Sequence, residues 1–172
     1  MTTEAAKYTL AVAKKLQEAV NDVCRPPSEV FRPISEPVLP HSLFVGTRGY
    51  IEKIVYQINH TYSASSYDAC AVMIRRLVEI LIIEAFEYNG TSSKIQNPDN
   101  TFFYLQDLIS VALSESWSLG RNTQKGLTKL KTIGDQSAHG RRYNAKRTYI
   151  DEIIIDLRTV SEEFLYLSGL KK

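Results

Sequence analysis

The sequence predicts an all-α fold, a bundle of about five to six helices, and three observations carry that prediction. Apolar residues recur every three or four positions in six separate segments. No segment alternates polar and apolar residues as a half-buried strand would. The segment from Tyr67 to Tyr88 is apolar on most of its circumference, which is the pattern of a helix at the centre of a bundle. With 172 residues the chain fits one domain and can bury a core without disulfides or a metal.

In chain order, residues 4–24 carry Leu10, Ala13, Leu16, Val20 and Val23 at helical spacing, an amphipathic first helix that stops at Pro26-Pro27. Five of the six prolines (Pro26, Pro27, Pro33, Pro37 and Pro40) follow within fifteen residues, so this stretch is expected to be an extended connector over the surface. It suggests a division into residues 1–47, an N-terminal helix and Pro-rich connector, and residues 48–172, the bundle proper. Tyr50, Ile51, Ile54, Val55 and Ile58 predict a helix from Arg48 to about Tyr62.

Along the central helix Asp68, Arg75 and Glu79 fall on one narrow polar stripe, where Arg75 and Glu79, four residues apart, are within reach of each other. Asn89-Gly90 ends that helix, and Thr91 to Asn100, with Pro98, reads as a loop. A shorter helix is expected from about Phe102 to Ser116, then a turn at Gly120 and Asn122. Leu127, Leu130, Ile133, Gly134 and Ala138 next line one face of a helix running to His139. Gly134 costs such a helix about 1 kcal/mol relative to Ala, which points to close backbone packing there. Thr148 and Asp151 have capping-box spacing and open a last helix striped by Ile150, Ile153, Leu157, Val160, Phe164 and Leu167.

Hydrophobic residues at 44% and charged residues at 23% are ordinary globular values that indicate neither wholesale disorder nor a membrane protein, and the apolar run Ile80 to Ile83 is far too short to span a bilayer. The N-terminus lacks the pattern of a secretory signal, so a cytoplasmic address is expected. Cys70, among Ala69, Ala71 and Val72, is expected to pack and not to pair with Cys24. The sequons at Asn59 and Asn89 carry little meaning without secretion.

Charge is uneven. Between Arg121 and Arg147 stand eight cations (Arg121, Lys125, Lys129, Lys131, Arg141, Arg142, Lys146 and Arg147) against one anion, Asp135, while the rest of the chain has thirteen cations and eighteen anions. A polyanion-binding surface requires such an excess, because each phosphate neutralised releases counterions. A solvated basic face has the same pattern. His139 lies inside this stretch. A neutral imidazole can take a proton from a ribose hydroxyl, and Arg141, Arg142 or Lys131 would then stabilise charge developing on the phosphate. A His at a helix end also serves simply to cap the last carbonyls or to pack.

Arg75-Arg76-Leu77-Val78-Glu79, followed some fifty residues later by Leu130-Lys131-Thr132-Ile133-Gly134-Asp135-Gln136-Ser137-Ala138-His139, resembles the HEPN (higher eukaryotes and prokaryotes nucleotide-binding) superfamily, and within it a bacterial branch of unknown function. The resemblance covers about residues 50–167. It implies an all-α bundle that forms homodimers and, in many members, a metal-independent endoribonuclease of bacterial defence or toxin systems. It places the catalytic His at His139 and the polar motif residue near Asp135. The motif Arg is missing: Thr132, Ile133 and Gly134 stand where it would fall, and seven residues separate the nearest upstream cation, Lys131, from His139. Lys lacks the planar bidentate grip of Arg on phosphate, so binding is expected over cleavage.

Gly120 to Gly126 lacks the glycine spacing of a phosphate loop. His41, His60 and His139 have no Cys or carboxylate at ligand spacing, so neither a metal nor another cofactor is expected. Two readings remain. One is an RNA-directed protein, binding through Arg121, Lys125, Lys129, Arg141, Arg142, Lys146 and Arg147, with Lys131, Asp135 and His139 as the candidate catalytic residues. The other is a dimerising module that docks a partner protein and is anchored by the polar stripe of Arg75 and Glu79.

Overall fold

The computed structural model describes Lys15 and residues 38–117 and 119–171. The first helix over residues 4–24, Cys24 and most of the proline connector lie outside the described residues. Packing divides the chain between Pro33 and Ile34, and the unit that begins at Ile34 holds the bundle.

The described residues form six helices: α1 (His41–Phe44), α2 (Gly49–Ser63), α3 (Tyr67–Tyr88), α4 (Leu105–Ser114), α5 (Arg121–His139) and α6 (Arg147–Leu167), with a 3-10 turn at Ser92–Ile95. An isolated bridge between Gln96 and Phe102 is their sole β pairing. The fold is therefore the all-α bundle the periodicity predicts. α3 is its centre, packed against α2, α4, α5 and α6. Cys70, Ala71, Ile74, Leu77, Val78, Leu81, Ile82, Ala85 and Phe86 are all buried along it, as its apolar circumference requires. The Cys70 thiol sits in this core, reaching the Ile58 carbonyl at 3.6 Å, and burial pushes its pKa up to about 12.

Where elements depart from expectation, tertiary contacts explain it. α4 starts three residues after Phe102, because Phe102 pairs with Gln96 and the Phe103 amide donates to the Ile95 carbonyl at 2.9 Å. The capping box is not formed. α6 begins at Arg147 without a side-chain cap, and Asp151 instead accepts a hydrogen bond from the Tyr62 hydroxyl. The end of the connector is not on the surface either. Val38 and Leu39 are buried, both amides donating to Asn59 Oδ1 (3.1 and 3.0 Å) while Asn59 Nδ2 donates to the Leu39 carbonyl at 2.7 Å. With α1, residues 38–47 thus pack on the bundle. The Asn59 sequon is consumed by this clamp.

No helix among the described residues is long and apolar enough to cross a membrane.

Candidate nucleic-acid interface

The polar stripe of α3 organises the region around His139. Arg75 pairs with Glu79 at 3.4 Å, as their spacing predicts, but its closer partner is on α5, where Arg75 Nε donates to Asp135 Oδ1 at 2.7 Å. Asp135 Oδ2 accepts from Lys131 Nζ at 2.5 Å, one turn earlier on the same helix. Gly134 makes the approach possible, since a Cβ there would lie 2.5 Å from Arg75 Cβ. Burial works to raise the Asp135 carboxyl, but the hydrogen bonds from Lys131 and Arg75 outweigh it and hold the group below the usual carboxylate range. Lys131 and Asp135, two of the candidate catalytic residues, are therefore joined to each other and to α3.

His139 is the last residue of α5 and is exposed. It shares a helix face with Lys131 and Asp135, at successive four-residue steps, and among the described residues its imidazole has no hydrogen-bond partner. It neither packs nor caps. The backbone closes the helix instead, the Gly140 amide donating to the Gln136 carbonyl at 2.8 Å.

The eight cations do not share one surface. Arg121 and Lys125 sit in the first turns of α5, which at 1.5 Å per residue are roughly 27 and 21 Å along the helix from His139. Lys129 pairs with Asp156 at 2.7 Å. Arg147 donates to the Tyr62 hydroxyl at 3.0 Å and lies 3.6 Å from Asp151, within a network where burial, and next the hydrogen bond to Asp151, raise the Tyr62 pKa. Arg141, Arg142 and Lys146 follow His139 directly and are exposed, with no carboxylate partner among the described residues.

Sequence reasoning missed two residues of this region, Tyr143 and Tyr149. Their rings stack at 6.2 Å between centroids and 27° between planes, with Lys146 Nζ 6.0 Å from the centre of the Tyr149 ring. The loop carrying Tyr143 is held by α3, the Ala145 amide donating to Asp68 Oδ1 at 2.9 Å. Burial is the first cause that raises the Tyr143 pKa, and the neighbouring Tyr149 and Asp68 add to it. Both rings line a groove of about 490 Å³ between α5 and α6, with Thr128, Lys129, Thr132, Ile133, Gln136, Glu152 and Ile153 forming the rest of its wall. The available signal was the interleaving of cations and aromatics in Arg141-Arg142-Tyr143-Asn144-Ala145-Lys146-Arg147-Thr148-Tyr149.

Among the described residues no group of three or more His, Cys, Asp or Glu side chains is placed to hold a metal ion. No protein-family model matches the chain, and neither the curated proteins nor the solved structures include one significantly similar to it.

Proposed function

We propose that this chain is a HEPN-like, RNA-directed helical domain that binds RNA through the surface following His139, acting in the cytoplasm as a homodimer in a bacterial defence or toxin-type setting. One observation carries the reading. Arg141, Arg142 and Lys146 are exposed without carboxylate partners beside the stacked pair Tyr143 and Tyr149, which combines the phosphate-neutralising charge and the aromatic faces that RNA recognition uses.

Binding is favoured over cleavage for a structural reason. A metal-independent ribonuclease needs a cation aligned with its base at the phosphate; Lys131, on the same helix face as His139, is held by Asp135 and Asp135 by Arg75, while Arg141 and Arg142 stand on the loop beyond the helix. Any residual cleavage rests on His139 with Arg141 or Arg142. Incubation with mixed cellular RNA in chelator, at a series of salt concentrations, tests this. RNA is expected to shift but not shorten, with the shift lost in an Arg141/Arg142 double alanine variant. Cleavage lost in His139→Ala would make the chain an enzyme, and no shift even at low salt would reject the reading. Light scattering should report a dimer.

The alternative, a non-catalytic dimerisation or protein-interaction module, draws support from the outer face of α6. Ile155 and Tyr166 are 79% and 70% exposed there and lie on one side of the helix. Dimerisation without affinity for RNA would favour it.

A further inference from the structure

We infer that the groove between α5 and α6 seats one unpaired base of single-stranded RNA, continuing the Tyr143/Tyr149 stack, and that Glu152 selects guanine there. The inference rests on the RNA-binding reading above and extends it to the form of RNA and the base.

Charge divides the region into two parts. Arg141, Arg142 and Lys146, without a carboxylate partner among the described residues, belong to the loop that also delivers Tyr143, whereas the groove wall holds one cation, Lys129, already paired with Asp156, and one carboxylate, Glu152. A phosphate is therefore favoured on the loop and disfavoured inside, where Glu152 repels it. What suits the interior is a flat, neutral group with hydrogen-bond donors on its edge and apolar faces. The lining supplies both partners for such a group: aromatic rings with Ile133 and Ile153 for the faces, and Glu152, Gln136 and Thr132 for the edge. Its volume of about 490 Å³ falls within the usual range of small-ligand sites, roughly 300–1,000 Å³.

A base inside a duplex has its faces covered by neighbours and cannot join the tyrosine stack, so the occupant is an unpaired base. Glu152 makes no hydrogen bond to another described residue and is free to accept donors. An ionised carboxylate only accepts, through two oxygens. Guanine carries two adjacent donors on its Watson–Crick edge, the ring N1–H and the exocyclic amine, which match those oxygens. Uracil offers one donor between two carbonyls that the carboxylate would repel. Meanwhile the flanking phosphates reach the cations of the loop, so base and backbone are held by neighbouring parts of one short segment.

The experiment is fluorescence anisotropy of the full chain, in chelator, with labelled oligouridylate, the same strand bearing one central guanine, and a duplex of matched length. The expected order is guanine-containing strand, then oligouridylate, then duplex. Stacking of one base is worth about a 5- to 150-fold change in affinity, so Tyr143→Ala should weaken single-strand binding within that range, and Tyr143→Phe, which keeps the ring, should restore it. Glu152→Gln, at an exposed position, should narrow the ratio between the guanine and uracil strands. Duplex bound as tightly as single strand, or Tyr143→Ala that binds as wild type does, would overturn the proposal while leaving salt-dependent RNA binding standing. If no RNA binds at low salt, the broader reading falls with it.

Discussion

Replacing Gly134 by alanine would bring a methyl carbon 2.5 Å from Arg75 Cβ and 3.1 Å from its Cγ and Cδ. The first of these neighbours is the rigid base of a side chain, not its flexible end, so relief requires α3 and α5 to move apart. Two effects oppose each other. Alanine gains about 1 kcal/mol over glycine in helix propensity, and forcing an extra carbon into a packed interface costs about 1–3 kcal/mol. Displacing Arg75 also lengthens its bond to Asp135, and a hydrogen bond to a charged group contributes about 1.5–3 kcal/mol. With the Arg75–Asp135 bond lost, the expected net loss is therefore about 1.5–5 kcal/mol. Urea denaturation followed by circular dichroism measures it, with Gly49→Ala as the control. Gly49 lies in the first turn of α2 with nothing within 4 Å of an added Cβ, and its substitution should stay within about 0.5 kcal/mol of wild type. If Gly134→Ala proves as stable as wild type, or more so, α3 and α5 do not approach each other this closely.

Three further outcomes are expected. Asp135 has a folded-state pKa below its unfolded value, so its contribution is complete above the usual carboxylate range and disappears as pH falls through the depressed value; Asp135→Asn should lessen the fall of urea midpoints as pH drops through and below the usual carboxylate range. Cys70, buried and pushed up to about 12, should resist alkylation in the native protein at mildly alkaline pH and react once urea unfolds it; labelling at equal rates in both states would contradict its burial. Asn59→Ala leaves the Val38 and Leu39 amides and the Leu39 carbonyl without their partner, at about 1–3 kcal/mol for each buried group left unsatisfied, so a loss of at least about 3 kcal/mol in chemical denaturation is expected.

Local periodicity made the helices legible, and partners distant in sequence account for the departures. α3 has the bounds its apolar circumference and Asn89-Gly90 imply, and α2 ends one residue past the expected Tyr62. The capping box at Thr148 was misleading because the partner of Asp151, Tyr62, comes 89 residues earlier. Burial of Val38 and Leu39 depends on Asn59, about twenty residues away, and nothing in a proline-rich composition announces that clamp. The candidate site divides in the same way. Arg75 with Glu79 follows from four-residue spacing, but Arg75 with Asp135 spans sixty residues and needed the fold. A count of cations along the chain takes no account of the length of α5, which separates Arg121 and Lys125 from the cations after His139.

The stripe of α3 links stability to the candidate surface more closely than either reading requires alone. Its three polar residues divide their work: Asp68 holds the loop of Tyr143 through the Ala145 amide, while Arg75, shared with Glu79, holds Asp135 and through it Lys131. Around those anchors Gly134 lets α5 lie close to α3, and at Gly140 a Cβ would collide with the Gln136 carbonyl and with Tyr143, so a glycine allows the chain to leave the helix tightly and bring Tyr143 against Tyr149. One buried turn of helix packing therefore positions both the ion-pair ladder, which uses up Lys131 and Asp135, and the loop, which leaves Arg141, Arg142 and Lys146 free. The same geometry that weakens the case for a catalytic Lys131 strengthens the case for a binding surface beyond His139.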